Sequence, residues 1–176
     1  MPNELNAPNE PVALISFHAG VAVNMNYGVN SSGAAGAVLV APALQQYFQY
    51  EAQMACRDGY IQQQWVELLK SELDAGRPMY YEGLGNGSGH AFVCDGYQND
   101  EFFHFNWGCG GMMDGFYYIN DLSTAELGTG GGNGSYNENQ AIVYGIKPQG
   151  GGGGGTNPDT VELTTYDMKL YSLPLK

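Results

Sequence analysis

Residues 60 to 76, YIQQQWVELLKSELDAG, set Ile61, Trp65, Leu68, Leu69 and Leu73 at offsets of 0, 4, 7, 8 and 12, which is one face of a helix. Gly76 follows as the expected stop. Upstream, NEPVALISFHAG predicts a helix capped by Asn9, with Pro11 in its first turn and Gly20 ending it. VNSSGAAG (29–36) reads as a loop. AVLVAPALQQYFQY (37–50) reads as a short helix in which Pro42 imposes a late start or a kink. After Gly76 the period changes to two. PMYYEG, HAFVCDGY, EFFHFNW, GFYYIND and QAIVYGIKP are expected to be short strands separated by glycine or Asn/Asp turns. Helices followed by four or five such strands predict an α+β domain with an antiparallel sheet.

The pattern also bounds the domain. Residues 128 to 137, GTGGGNGSYN, offer little to a core and are expected to form a mobile loop. Residues 1–148 are read as one domain, 149–159 as a glycine-rich linker, and 160–176 as the start of a further β segment or a tail. The first ten residues have neither a basic nor an apolar leader region, so no signal peptide is expected there. No apolar run reaches the length of a membrane span.

Composition narrows the class of function. Glycine supplies 27 of 176 residues, against a usual share of roughly 7%. The net charge of −12, with only 6 Lys and Arg, argues against nucleic acid or an anionic membrane as partner. It suits a soluble protein working outside the cell. Three cysteines, Cys56, Cys94 and Cys109, are too few for a disulfide framework and lack zinc-site spacing, so zinc is not expected. The GLGNGSG run at 83–89 has no Lys-Ser/Thr after it and no helix, so it is no phosphate loop.

Candidate chemistry lies in GHAFVCDGYQNDEFFHFNWGCGG (89–111). Alternation puts His90, Phe92 and Cys94 on one face of a strand. On the next strand Phe102, His104 and Asn106 share one face, and Phe103, Phe105 and Trp107 the other. A hairpin turning at Gln-Asn-Asp brings His90 and Asn106 to the same end, where a polar group can accept the imidazole N–H and set its tautomer. Gly89 leaves room for a substrate backbone, and Trp107 can shield the pair from water. This is how a cysteine or serine hydrolase presents its base.

These segments, GHAFVCDGY, FFHFNWGCGGMMDGFY and LGTGGGNGSYNENQAIVYGIKP, closely resemble the catalytic C-terminal part of the streptopain family of papain-like bacterial cysteine peptidases. The likeness extends to VAVNMNYG, SSGAAG, ALQQYF and LDAGRPMYYEGLG, spanning about residues 12 to 148. It implies a papain-like fold, of which this chain supplies mainly the antiparallel-sheet half with two or three helices before it. It implies a secreted endopeptidase acting on protein or peptide substrates by a Cys-His mechanism. By resemblance His90 is the catalytic base, steadied by the Asn106 side chain or the Trp107 backbone. Gly89, Trp107 and Ala34 line the substrate site, Ala34 where a relative carries serine.

Two departures stand out. The family's NWGWGG is here NWGCGG, with Cys109 in place of tryptophan. The Gly-Cys-Val-Ala-Thr-like segment that bears the family nucleophile has no match in this chain. Cys94 lies four residues from His90, about 13 Å along a strand at about 3.3 Å per residue. Cys109 has no helix N-terminus to lower its pKa, and Cys56 follows EAQMA near a helix end. The expectation is therefore a histidine-bearing part, inactive alone, that needs a complementary Cys-bearing segment. The alternative is a truncated pseudoprotease that binds peptides or partners. A glycine-rich β adhesion module ranks last, because it leaves the His90–Asn106 arrangement to chance.

Overall fold

A computed structural model describes residues 7–29, 31–85, 87–125 and 134–150. The first helix, α1 (Glu10–Ala22), starts as expected: Asn9 Oδ1 accepts from Val12 N at 3.2 Å, and Pro11 sits in the first turn. It does not stop at Gly20. That glycine is helical and buried, and a Cβ there would collide with the Tyr27 hydroxyl. Gly20 serves close packing, and the turn is made instead by Asn24 in the left-handed region at φ 51. The expected loop at 29–36 contains half of a two-residue ladder, β1 (Asn26–Tyr27) with β2 (Ser32–Gly33). Helix α2 (Ala37–Tyr47) carries Pro42 in its interior. The missing N–H there frees the Val38 carbonyl, and Val38 is exposed to water.

Strand β3 (Tyr50–Cys56) was not expected. Its buried positions, Ala52 and Ala55, are small and three apart, so no period of two announces it. Cys56 therefore ends an edge strand, not a helix. A single 3₁₀ turn (Arg57–Gly59) leads to α3 (Gln62–Asp74). Trp65 and Leu69 are fully buried on it, and Gly76 closes it at φ 70. Ile61 departs from expectation: as N-cap residue it lies outside the helix and is 65% exposed.

The remaining strands are β4 (Met79–Gly85), β5 (Ser88–Gln98), β6 (Phe102–Asn106), β7 (Gly115–Tyr118), β8 (Ser123–Thr124), β9 (Gly134–Ser135) and β10 (Glu138–Pro148). The main sheet has the order β3-β10-β4-β5-β6-β7, every neighbouring pair antiparallel. The fold is α+β, with α3 and α2 packed against separate cores. Trp65 and Leu69 meet Met79, Tyr81, Phe92, Phe103, Phe105 and Trp107 in the larger one. Ala37 and Ala41 meet Ala52, Ala141 and Val143 in the smaller, where short side chains allow a helix to lie close to the sheet.

The loop expected at 128–137 needs correction at its end. Gly134 and Ser135 pair with β8, and Tyr136 is only 2% exposed within the larger core. Residues 126–133 of that stretch lie outside the described residues, as do 151–176, which hold most of the expected linker and the expected β tail. Among the described residues no helix is long and apolar enough to cross a membrane.

Candidate active site

β5 and β6 alternate as the pattern requires. Phe92 and Cys94 are buried on one strand and Phe103 and Phe105 on the other, while Val93, Phe102 and Asn106 face outward. His90 is on the inward face of β5, half-buried, opposite Gly83 of β4. Backbone passes close over that neighbour: a Cβ on Gly83 would strike the carbonyl of Tyr136, and one on Gly85 that of Ser135. The bare glycines thus admit segment 134–136, which lays the Tyr136 ring over the imidazole at 5.4 Å. Phe92 and Trp107 stack on it at 5.9 and 6.2 Å. The ring is held on an aromatic bed.

One hydrogen bond sets its chemistry. His90 Nε2 lies 2.9 Å from the carbonyl oxygen of Trp107. A carbonyl only accepts, so Nε2 carries the proton and the neutral imidazole keeps its lone pair on Nδ1. Nδ1 has no hydrogen-bond partner among the described residues, and His90 borders a cleft of about 1040 Å³. That nitrogen is the one available as a base.

Asn106 is not brought to the imidazole. Its register partner is Val93, and its side chain points to the outer face, where Oδ1 accepts from Gly108 N at 2.9 Å. The contact still bears on His90, because that N–H and the Trp107 carbonyl belong to one peptide group. Donating from the N–H end polarises the C=O and makes it a better acceptor. Trp107 also differs from expectation as a substrate contact. Its indole is 0% exposed and forms part of the aromatic bed, so its backbone alone serves the site.

Gly89 and Ala34 both line the cleft and are exposed. Gly89 has a second constraint: a Cβ there would come within 2.7 Å of Leu84 Cδ2. The cleft also holds Glu82, whose Oε2 accepts from Ala37 N at 2.9 Å and Tyr80 O–H at 2.6 Å. Tyr136, Glu82 and Asp114, which accepts from Trp107 N at 2.8 Å, were not singled out from sequence. The one available signal was the glycine pair at 83 and 85, two apart and so on one face.

The cysteines divide by environment. Cys94 is fully buried, and burial pushes its thiol well up. Cys56 is exposed at the sheet edge. Cys109 donates from Sγ to the Trp107 oxygen at 3.4 Å, the same atom that binds His90 Nε2. It lies on the protonated side of the ring, away from Nδ1. A second histidine, His104, pairs with Asp95 on the outer face of the sheet. Among the described residues no three His, Cys, Asp or Glu side chains cluster to hold a metal ion.

The fold is that of a papain-like cysteine peptidase. Interpain A from Prevotella intermedia superposes with a TM-score of 0.64 at 34% identity, over 75% of this chain and 54% of that one. A fragment of its precursor, prointerpain A, gives 0.66 at 30% identity, over 85% and 47%. Residues 2–117 match the Peptidase C10 family, and the chain belongs to it. Streptopain from Streptococcus pyogenes is 40% identical over 147 residues, 82% of this chain and 37% of its own length. Thiol protease/hemagglutinin PrtT from Porphyromonas gingivalis is 39% identical over 167 residues, 93% of this chain and 19% of its own length. The chain thus spans well under two thirds of these relatives.

Proposed function

We propose that this chain supplies the base and the substrate-lining sheet of a secreted cysteine endopeptidase, and that its nucleophilic thiol comes from a complementary segment, upstream in the same polypeptide or on a separate chain. The observation that carries this reading is an imidazole locked through Nε2, its Nδ1 without a partner among the described residues, at the border of a large cleft. In the reaction Nδ1 accepts the proton of the incoming thiol, and the thiolate adds to a substrate peptide carbonyl. His90 then protonates the leaving amine as the C–N bond breaks, and later takes a proton from the water that hydrolyses the thioester. Each time it is charged, the imidazolium donates to the Trp107 carbonyl that Asn106 polarises. Gly89 and Ala34 let an extended substrate backbone approach. Thiol-imidazole chemistry of this kind requires neither metal nor cofactor.

Two features support a complementary segment. None of the three cysteines makes a hydrogen bond to His90 Nδ1: Cys109 bonds the Trp107 oxygen on the Nε2 side, Cys94 is buried and Cys56 ends the edge strand β3. Leu14, Ile15, Phe17 and Val21 of α1 are exposed, apolar surface that a second segment would cover. The strong acidity of the chain suits work outside the cell.

The test has two arms. The purified, reduced chain is treated with a peptidyl epoxide that alkylates cysteine-peptidase thiolates, and assayed on casein. No labelling and no cleavage are expected. Co-expression with the Cys-bearing part of a C10 relative is then expected to give cleavage that His90→Ala abolishes. Stoichiometric, His90-dependent labelling at Cys109 or Cys56 would overturn the missing nucleophile. Peptide binding without cleavage in the second arm would favour a pseudoprotease that binds through the old cleft.

A further inference from the structure

The oxygen that orients His90 is placed by a loop, and the loop has an anchor outside the expected site. Residues 107–114 join β6 to β7, and four of them occupy the left-handed region: Gly108 at φ 73, Gly110 at 69, Gly111 at 85 and Met113 at 63. Its backbone supplies only a long turn bond, Met112 N to the Cys109 carbonyl at 3.4 Å, so side chains do most of the fixing. Asp114 does so from the far end, its Oδ1 accepting the Trp107 N–H at 2.8 Å. The Tyr117 hydroxyl adds a bond to the Met113 carbonyl at 2.6 Å, and its ring sits edge-on to Trp107 at 5.2 Å. Trp107 is therefore gripped at its N–H by Asp114, while its carbonyl accepts from His90.

We propose that Asp114 is a positioning residue for His90: by holding the Trp107 N–H it aims the Trp107 carbonyl at Nε2 and keeps the base lone pair on Nδ1. The inference rests on reading His90 as the base, but its test does not need the thiol.

The experiment is a ¹⁵N NMR titration of the imidazoles in the full chain. It has only three histidines, assigned by His18→Gln and His104→Gln. In the parent chain neutral His90 is expected as the Nε2–H tautomer. Asp114→Asn keeps an acceptor for the N–H and loses the charge. It should preserve the tautomer. Asp114→Ala loses both and should yield a mixture of tautomers. His104, on the other face, should not move in either variant. An unchanged His90 tautomer in Asp114→Ala, with only the melting temperature lowered, would overturn the proposal and leave Asp114 as a loop staple. Should Asp114→Ala fail to fold, Asp114→Glu, which displaces the acceptor by one methylene, decides in its place, and an unchanged tautomer there overturns it. Failure of the complementation assay would count against the peptidase reading and leave this result untouched.

Discussion

An imidazole bonded through Nε2 to a carbonyl has its reactive nitrogen chosen for it, and the same logic sorts the thiols. A cysteine is reactive when it is accessible and its thiolate is stabilised. Cys56 has the access, Cys94 has neither, and Cys109 is half-buried with its S–H directed at a carbonyl. Ellman's reagent on the native chain near pH 8 should therefore release one thiol quickly, a second slowly, and the third only after denaturation. Peptide mapping should identify them as Cys56, Cys109 and Cys94 in that order. Fast reaction at Cys94 would contradict its burial in the larger core. At this scale sequence reading reached far, because alternation assigns each side chain to a face. Phe103, Phe105 and Trp107 fall together, so Asn106 must face the other way. Which group His90 bonds to was not legible, since it depends on how β5 pairs and how the following loop closes.

Helix α2 begins after Gly36, a residue with no side chain to cap it, at φ 66. The Glu82 carboxylate from β4 takes that role, accepting from Ala37 N where the helix dipole favours an anion. A Cβ on Gly36 would run into the same carboxyl group. Burial pushes the Tyr80 phenol up, and the adjacent Glu82 pushes it further, so Tyr80 remains a donor to that carboxylate. Glu82→Gln is expected to cost about 0.5–1 kcal/mol and Glu82→Ala about 1–2 kcal/mol, measured by urea unfolding. Equal stability of both variants with the parent would show that α2 needs no cap from the sheet. Element boundaries were legible where periodicity is strong, as in α3 and β5. They were not where small residues carry the packing. Ala52 and Ala55 conceal β3, and Gly20 has the look of a stop although it is a contact surface.

At the scale of the molecule one buried carboxylate ties distant parts together. Glu72, near the end of α3, accepts from Arg77 Nε at 2.8 Å and Nη2 at 2.9 Å, and from Gly145 N of β10 at 2.8 Å. Gly145 stands in the left-handed region, within the register shift of β10 between Tyr144 and Lys147. The Arg77 hydrogen bonds, chiefly, hold the Glu72 pKa below its ordinary value. A folded-state pKa below the unfolded one means the native state binds fewer protons. The stabilisation is therefore full above the ordinary glutamate value of about 4.3 and is lost as the pH falls through the lower folded value. Glu72→Gln should destabilise the chain by about 2 kcal/mol at pH 7, discounted from a fully buried pair because Arg77 is partly exposed. At pH 3 the difference should be much smaller. A pH-independent difference in melting temperature would contradict the linkage.

The sequence by itself determined the period of each long element, the α+β class, the faces of β5 and β6, and the histidine as candidate base. These depend on local spacing, and spacing survives without a fold. Its motifs also carried the resemblance that the match to the Peptidase C10 family supports. Only the tertiary structure decided which atom His90 meets. The Trp107 carbonyl, not the Asn106 amide, reaches Nε2, while Asn106, Asp114 and Cys109 converge on the same residue or its following peptide. Backbone groups are the same at every position, so no residue letter announces which carbonyl will accept. That choice follows from strand register and from a glycine-rich turn closed by a carboxylate seven residues away.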